Sequence, residues 1–264
     1  MQKQFKTYPV YVQRPPIPDE DPPRVTWSDV EYERKLADQY MSDVNDELEY
    51  IDKPGVGRVL LQALPATQLV LIAKRKKDAA ETFALNPDLG FANGFTLNPG
   101  TVNEHQAVGG GSNVVIFFKP GAEIGSCVNA DPNDPCIGLS DEEVLVHELV
   151  HALRDMEGRY NPIPLKEPDK DYQDTEEFYA VLVANIFMSE RGETKLRKDY
   201  KDLKHPLKAA WSTSAGFLSD ATHRRWVSRF CLLEEPTLAQ QIAALTTSPF
   251  NPIREYLNNT GKYP

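Results

Sequence analysis

Residues 140 to 154 of the chain read Ser-Asp-Glu-Glu-Val-Leu-Val-His-Glu-Leu-Val-His-Ala-Leu-Arg. On a helix of 3.6 residues per turn, His147 and His151 share one face, so both imidazoles can reach a single metal ion. Glu148 then projects toward the coordination position that the histidines leave open. This spacing predicts the active-site helix of a zinc hydrolase, with Glu148 as its catalytic base.

The residues around this motif favour a buried helix. Ser140 and Glu143 have the spacing of a capping box, and three consecutive acidic residues occupy the first turn, where the helix dipole stabilises negative charge. Apolar residues cover nearly the whole circumference, which is typical of a helix inside a core. Buried histidine and glutamate need partners, and a metal ion would supply them. Gly158, about one turn after Arg154, is expected to end the helix.

A second helix is predicted from Asp174 to about Arg191, after a proline-rich loop. Glu176 and Glu177 lie in its first turn, on an otherwise apolar helix where a carboxylate needs a reason. Two imidazoles and one such glutamate would leave zinc a fourth position for water, as in catalytic sites. The alternative is a surface carboxylate that the helix dipole favours. The residues alone leave open which glutamate is the ligand.

Composition limits the classes of partner. The chain has 264 residues, 41% of them hydrophobic, and a net charge of -10. This charge argues against nucleic acid or an anionic membrane surface as the main partner. There is no apolar run of membrane-spanning length and no classical signal peptide. Of the three cysteines, Cys127 and Cys136 could clip the loop between them, with free thiols as the alternative.

Taken in order, the chain predicts an α+β fold. Residues 1–26 are rich in proline and predict a flexible tail, followed by a single domain over residues 27–264. We expect a small mixed or antiparallel sheet packed on the active-site helix, and a mostly helical C-terminal half. Val114 to Phe118 is a predicted strand, either an edge strand beside that helix that binds the substrate backbone or an ordinary strand of the sheet core. His205 and His223 are expected at the surface.

The motif at residues 147–154, the Glu-Glu-Phe-Tyr-Ala run at 176–180 and a preceding Pro-Gly-x-Gly-Arg-x-Leu-Leu helix together resemble the NleD-like family of bacterial effector zinc peptidases. The resemblance implies a zincin-like fold of the gluzincin type. It also implies that Glu177 completes the zinc site with His147 and His151, since the aromatic residues after Glu177 resemble the third-ligand helix of gluzincins. An effector secreted into a target cell, where it cleaves proteins, is the implied function.

Related zincins stabilise the oxyanion with a tyrosine or histidine, and Tyr172 is the residue selected here. Tyr160 and Tyr179 are its rivals, and all three could instead be packing residues. Arg154 and Asp155 could hydrogen-bond a metal ligand or form an ordinary helix-end ion pair.

Two other functions stay open at this point. One is a housekeeping metallopeptidase or aminopeptidase of the producing cell, in which case the protein would be cytoplasmic. The other is a zinc-binding interaction module without catalysis, which Glu148 argues against because mere metal binding has no use for a base. For the effector, we expect a monomer with a protein or peptide substrate, and a secretion chaperone or an immunity protein as a further partner.

Overall fold

The structure is a computed structural model. The residues that it describes are 2–15, 27–74, 81–85, 111–121, 136–165, 172, 174–199 and 204–263.

The five strands found among the described residues form one mixed sheet in the order β1-β2-β3-β5-β4. The central strands β2, β3 and β5 run parallel, while β1 and β4 are antiparallel to their neighbours. The strands are β1 (Gln2–Gln4), β2 (Val10–Gln13), β3 (Val70–Ala73), β4 (Glu81–Leu85) and β5 (Asn113–Phe117).

Alternating side chains of the central strands face opposite sides of the sheet. In β3 and β5, Val70, Ile72, Val114 and Ile116 belong to the main hydrophobic core, which the helices cover. The side chains between them form a smaller apolar cluster on the other face. The helices, and therefore the candidate site, lie on the main-core face.

In the part of the chain that the structure describes, eight α-helices complete the fold. Their bounds are α1 (Trp27–Ile51), α2 (Val56–Ala63), α3 (Asp141–Met156), α4 (Thr175–Glu190), α5 (Ser214–Ser219), α6 (Ala221–Arg229), α7 (Pro236–Ala244) and α8 (Pro252–Asn258). A π-helical turn over Phe230–Glu234 joins α6 to α7. Helices α3 and α4 pack along each other. The α+β class and the helical C-terminal half are as expected.

Residues 2–13 do not form the flexible tail that the prolines predict. They contribute β1 and β2 to the sheet, where Val10 and Val12 are fully buried. Pro9 is compatible with this pairing because it has no N–H to lose, and its carbonyl accepts a hydrogen bond from Val70 N at 2.7 Å. The more proline-dense residues 16–26 lie outside the described residues.

Of the two roles open for the 114–118 strand, the edge position is wrong and the sheet core is the one that the structure shows. Strand β5 lies between β3 and β4, and pairs with both. Among the described strands, β4 is the one at this end of the sheet, and it contacts α3. An internal strand explains the fully apolar run of β5, whose Val114, Val115 and Ile116 are completely buried.

Candidate metal centre

The N-terminal turns of α3 and α4 fix the two halves of the site. Ser140 caps α3 in a capping box, in which its backbone N–H donates to Glu143 Oε2 at 3.0 Å. Asp174 caps α4 by accepting hydrogen bonds from the backbone N–H groups of Glu176 and Glu177, each at 3.0 Å. Because Asp174 caps the helix at these two amides, the helical positions of both glutamates are set by local sequence.

His147, His151 and Glu177 come together where α3 and α4 pack. One potential ligand atom from each lies within 4.8 Å of the other two. The two Nε2 atoms are 3.1 Å apart, Glu177 Oε2 is 3.2 Å from His147 Nε2, and Glu177 Oε1 is 3.7 Å from His151 Nε2. Tetrahedral zinc with bonds near 2.1 Å separates its ligand atoms by about 3.4 Å. The donor set therefore fits one zinc ion.

Burial sets the protonation of these groups. It lowers the pKa of His147, and the nearby Arg197 guanidinium lowers it further, so this imidazole is held in the neutral form that binds metal. Burial raises the pKa of Glu177, against the opposing effect of His151 and Arg197. A buried carboxylate of this kind gains from a cation beside it.

Glu148 and Glu176, the other two acidic residues near the centre, have different surroundings. Glu148 is 8% exposed on α3, next to His147 in sequence, and is not one of the converging ligand atoms. Glu176 is fully buried and forms a two-point ion pair with Arg154, so it is not part of the cluster that could hold a metal. Adjacent helical positions diverge by about 100 degrees, which separates Glu176 from Glu177.

The three candidate tyrosines are placed differently. Tyr160 contacts His151 edge-on, with ring centroids 5.9 Å apart. Tyr172 is buried, its hydroxyl donates to Lys198 O at 2.9 Å, and its ring packs edge-on against Phe178. Tyr179 is 1% exposed and lies beneath the Arg154 guanidinium. Tyr160 therefore has a ring contact to a histidine of the centre.

Arg197 is a residue of the site that the sequence reasoning missed. Its backbone is held by Asn185 of α4 through two hydrogen bonds, of 2.8 and 2.9 Å. Its side chain is 5% exposed, and its charge acts on His147 and Glu177. Gly138 leaves room for it, since a Cβ there would come within 2.1 Å of Arg197 Cδ. No local pattern marks a loop arginine for such a position.

The remaining histidine and cysteine predictions have mixed outcomes. His223 is buried, not at the surface as expected, and stacks on Phe217 with ring centroids 4.0 Å apart. His205 is exposed, as expected. Cys136 is disulfide-bonded, so the free-thiol alternative is wrong for this residue, whereas Cys231 is a free, buried thiol. Cys127 lies outside the described residues.

Comparison with known proteins supports a peptidase. Among the described residues, no helix combines the length and apolar character that crossing a bilayer requires. Searches of curated proteins and of solved structures found no match. The peptidase M91 family, described as effector proteins, matches residues 28–208, a span that includes both helices of the metal centre. The chain therefore belongs to this NleD-like peptidase family of effector proteins.

Proposed function

We propose that the protein is a zinc-dependent endopeptidase of the zincin type, a secreted effector that hydrolyses peptide bonds in proteins of a target cell. The observation that carries this proposal is the convergence of His147, His151 and Glu177 from two packed helices, with Glu148 inside the same motif. Two nitrogens and one carboxylate leave tetrahedral zinc one open position, which is the arrangement of catalytic rather than structural zinc.

When bound, zinc would act as a Lewis acid that makes water a nucleophile near neutral pH and polarises the scissile carbonyl. Glu148 would accept the proton that the attacking water loses, and would return it to the leaving amine. Its burial keeps it away from bulk solvent. The three ligand side chains orient the centre, and none of them is needed as the base.

For the oxyanion, we propose Tyr172 as the hydrogen-bond donor, with Tyr160 as the alternative. To act, Tyr172 would have to exchange its hydrogen bond to Lys198 O for one to substrate. The contact between Tyr160 and His151 supports the alternative. Comparing Tyr172→Phe and Tyr160→Phe separates them, because the donor's loss lowers kcat by about 100-fold with little change in KM.

We propose that the substrate backbone binds at the edge of the sheet. Strand β4 pairs with β5 on one side and is the last described strand of the sheet on the other. It also packs against α3, which carries the motif. An extended peptide could add to this edge through main-chain hydrogen bonds and lie across the centre. We therefore propose a protein substrate presented as an extended segment to a monomeric enzyme, with a secretion chaperone or immunity protein as a separate partner.

The test is the Glu148→Gln variant, compared with wild type in cells that express each. We expect new protein N-termini with wild type and none with the variant, while the purified variant retains stoichiometric zinc. Rate losses of about 100-fold to 10,000-fold are usual when a general base is removed. Glu142→Gln, on the same helix, is the matched control and should leave cleavage unchanged.

Cleavage by zinc-loaded Glu148→Gln at the wild-type rate would exclude this mechanism. If the wild-type protein binds zinc but cleaves proteins neither of target cells nor of the producing cell, the zinc-binding interaction module is favoured. Cleavage confined to the producing cell's own peptides would favour the housekeeping peptidase.

A further inference from the structure

A second buried polar cluster lies one turn along α3 from the metal centre, around Arg154. The side chain of Arg154 is 1% exposed. Its Nε and Nη2 groups donate to the two carboxylate oxygens of Glu176, the second at 2.9 Å. Its Nη1 donates to Glu235 Oε1 at 2.8 Å, and its Nη2 also reaches Glu234 Oε2 at 3.1 Å. The guanidinium is thus surrounded by three carboxylates.

These carboxylates come from distant parts of the chain. Glu176 lies in the first turn of α4, whereas Glu234 ends the π-helical turn and Glu235 precedes α7. Two further arginines form ion pairs with these carboxylates on the outer side of the cluster. Arg229 Nε is 2.7 Å from Glu234 Oε1, and Arg159 Nη1 is 3.2 Å from Glu235 Oε2. The cluster therefore ties α3, α4 and the α6–α7 junction together.

The cluster is adjacent in sequence to the candidate metal ligands. Arg154 follows His151 by three residues, which is about 4.5 Å along the helix axis. Glu176 immediately precedes Glu177, and its Oε1 also accepts from the backbone N–H of Asn161 at 3.0 Å. Any sliding of α4 along α3 would break the two-point pair between Arg154 and Glu176. It would also change the distance from Glu177 to both histidines.

We propose that Arg154, Glu176 and the Glu234–Glu235 turn form a positioning cluster that holds Glu177 at ligand distance from His147 and His151. The inference rests on the proposed zinc site. It assigns a part in that site to Glu234 and Glu235, which lie outside the span 28–208 that matches the family. Partners that fix ligand geometry typically change metal affinity by 10- to 100-fold when removed.

The experiment measures the zinc dissociation constant of the full-length protein by competition with a chelator, together with the thermal stability of the zinc-free protein. We expect Arg154→Met to weaken zinc binding by about 30-fold and Glu235→Ala by about 10-fold, both less than the loss of a ligand itself. Arg154→Lys keeps the charge but loses the two-point geometry, and should recover only part of the affinity. In the cobalt-substituted protein, the visible absorption bands should shift in the same order.

Two controls separate positioning from general stability. Glu190→Gln changes a carboxylate at the far end of α4, which binds Val56 N at 2.9 Å, and should leave zinc affinity within about two-fold of wild type. Leu238→Ala removes a buried apolar side chain of α7 and leaves every charged group of the cluster in place. It should lower thermal stability and leave the cobalt spectrum unchanged.

The outcomes distinguish this proposal from the proposed function. If His151→Ala binds zinc as tightly as wild type, the metal site itself is wrong. If His151→Ala loses zinc but folded Arg154→Met and Glu235→Ala bind it as tightly as wild type, only the positioning proposal fails. If Arg154→Met does not fold, Glu235→Ala and the milder Glu234→Ala decide the question. Equal affinity loss in Leu238→Ala would also overturn positioning.

Discussion

Helices α3 and α4 carry two buried polar clusters, one turn apart, that differ in their central charge. In the first, His147, His151 and Glu177 bring together atoms that all offer lone pairs, and its three members include no lysine or arginine. In the second, the Arg154 guanidinium fills the centre among carboxylates. The first cluster is suited to take up a cation, and the second contains its own.

Burial by itself does not separate the two clusters. His147 is 5% exposed and Arg154 is 1% exposed, so both groups are removed from water. Buried ionic groups are stable when they are compensated nearby, and removing one partner of a buried pair is strongly destabilising. We therefore expect mutations in the first cluster to act mainly on metal affinity, and mutations in the second mainly on folding stability with a smaller effect on metal affinity.

The largest expected effect is that of His151→Ala on zinc binding. Structural zinc sites bind their ion with roughly 10 to 16 kcal/mol, and on this scale one ligand accounts for about 3 kcal/mol or more, which is more than 100-fold in affinity. Chelator competition measures this. His205→Ala, which removes an exposed histidine, is the control and should bind zinc like wild type.

The adjacent glutamates test the comparison directly. We expect Glu177→Ala to reduce zinc affinity by about 100-fold and to leave the zinc-free protein at least as stable, because it removes a carboxylate whose pKa burial raises. Glu176→Ala should instead cost about 3 kcal/mol in the free energy of unfolding, because it leaves Arg154 partly uncompensated. Urea denaturation and zinc titration of both variants check this. The reverse pattern would exchange the two roles.

A smaller effect is expected at Gly138, next to the first cluster. Its φ of +72° is in the left-handed region, and a Cβ would come within 2.1 Å of Arg197 Cδ. We expect Gly138→Ala to lower the free energy of unfolding by about 2 kcal/mol, from backbone strain and displacement of Arg197. Gly192→Ala, also at positive φ but with no atom within 4 Å of its Cβ, isolates the backbone contribution. Equal losses would show that the Arg197 contact is unimportant.

The smallest effect concerns Glu47 of α1, which lies near the acidic start of α3. Burial, together with Glu142 and Asp141, raises the pKa of Glu47 from 4.5 to about 7. A carboxyl whose pKa is higher in the folded state stabilises the fold below its unfolded pKa, and that stabilisation is lost as pH rises toward 7. Glu47→Gln should therefore match wild type near pH 4.5.

At pH 8.5, Glu47→Gln should be more stable by about 1 kcal/mol, a figure reduced for solvent screening because the side chain is only partly buried. Urea denaturation at the two pH values measures the difference, with Glu33→Gln on the same helix as control. A pH-independent difference would contradict the electrostatic cause.

Several features of the site could be predicted because they depend on residues close in sequence. The capping box of Ser140 and Glu143 and the helical face shared by His147 and His151 follow from spacing on one helix. Membership of the NleD-like family was predicted from the order of motifs and is confirmed. The choice of Glu177 over Glu176 needed the resemblance, because periodicity alone does not rank two adjacent carboxylates.

Other features depend on contacts between distant residues, which only the tertiary structure decides. The proline content of the N-terminal segment predicts a tail, yet burial of Val10 and Val12 against the sheet outweighs that local preference. Arg154 has partners 22, 80 and 81 residues away, and Arg197 lies near Glu177 because Asn185 holds its backbone. Local sequence specifies helix ends and faces, whereas the partners of a buried charge depend on which distant segments pack around it.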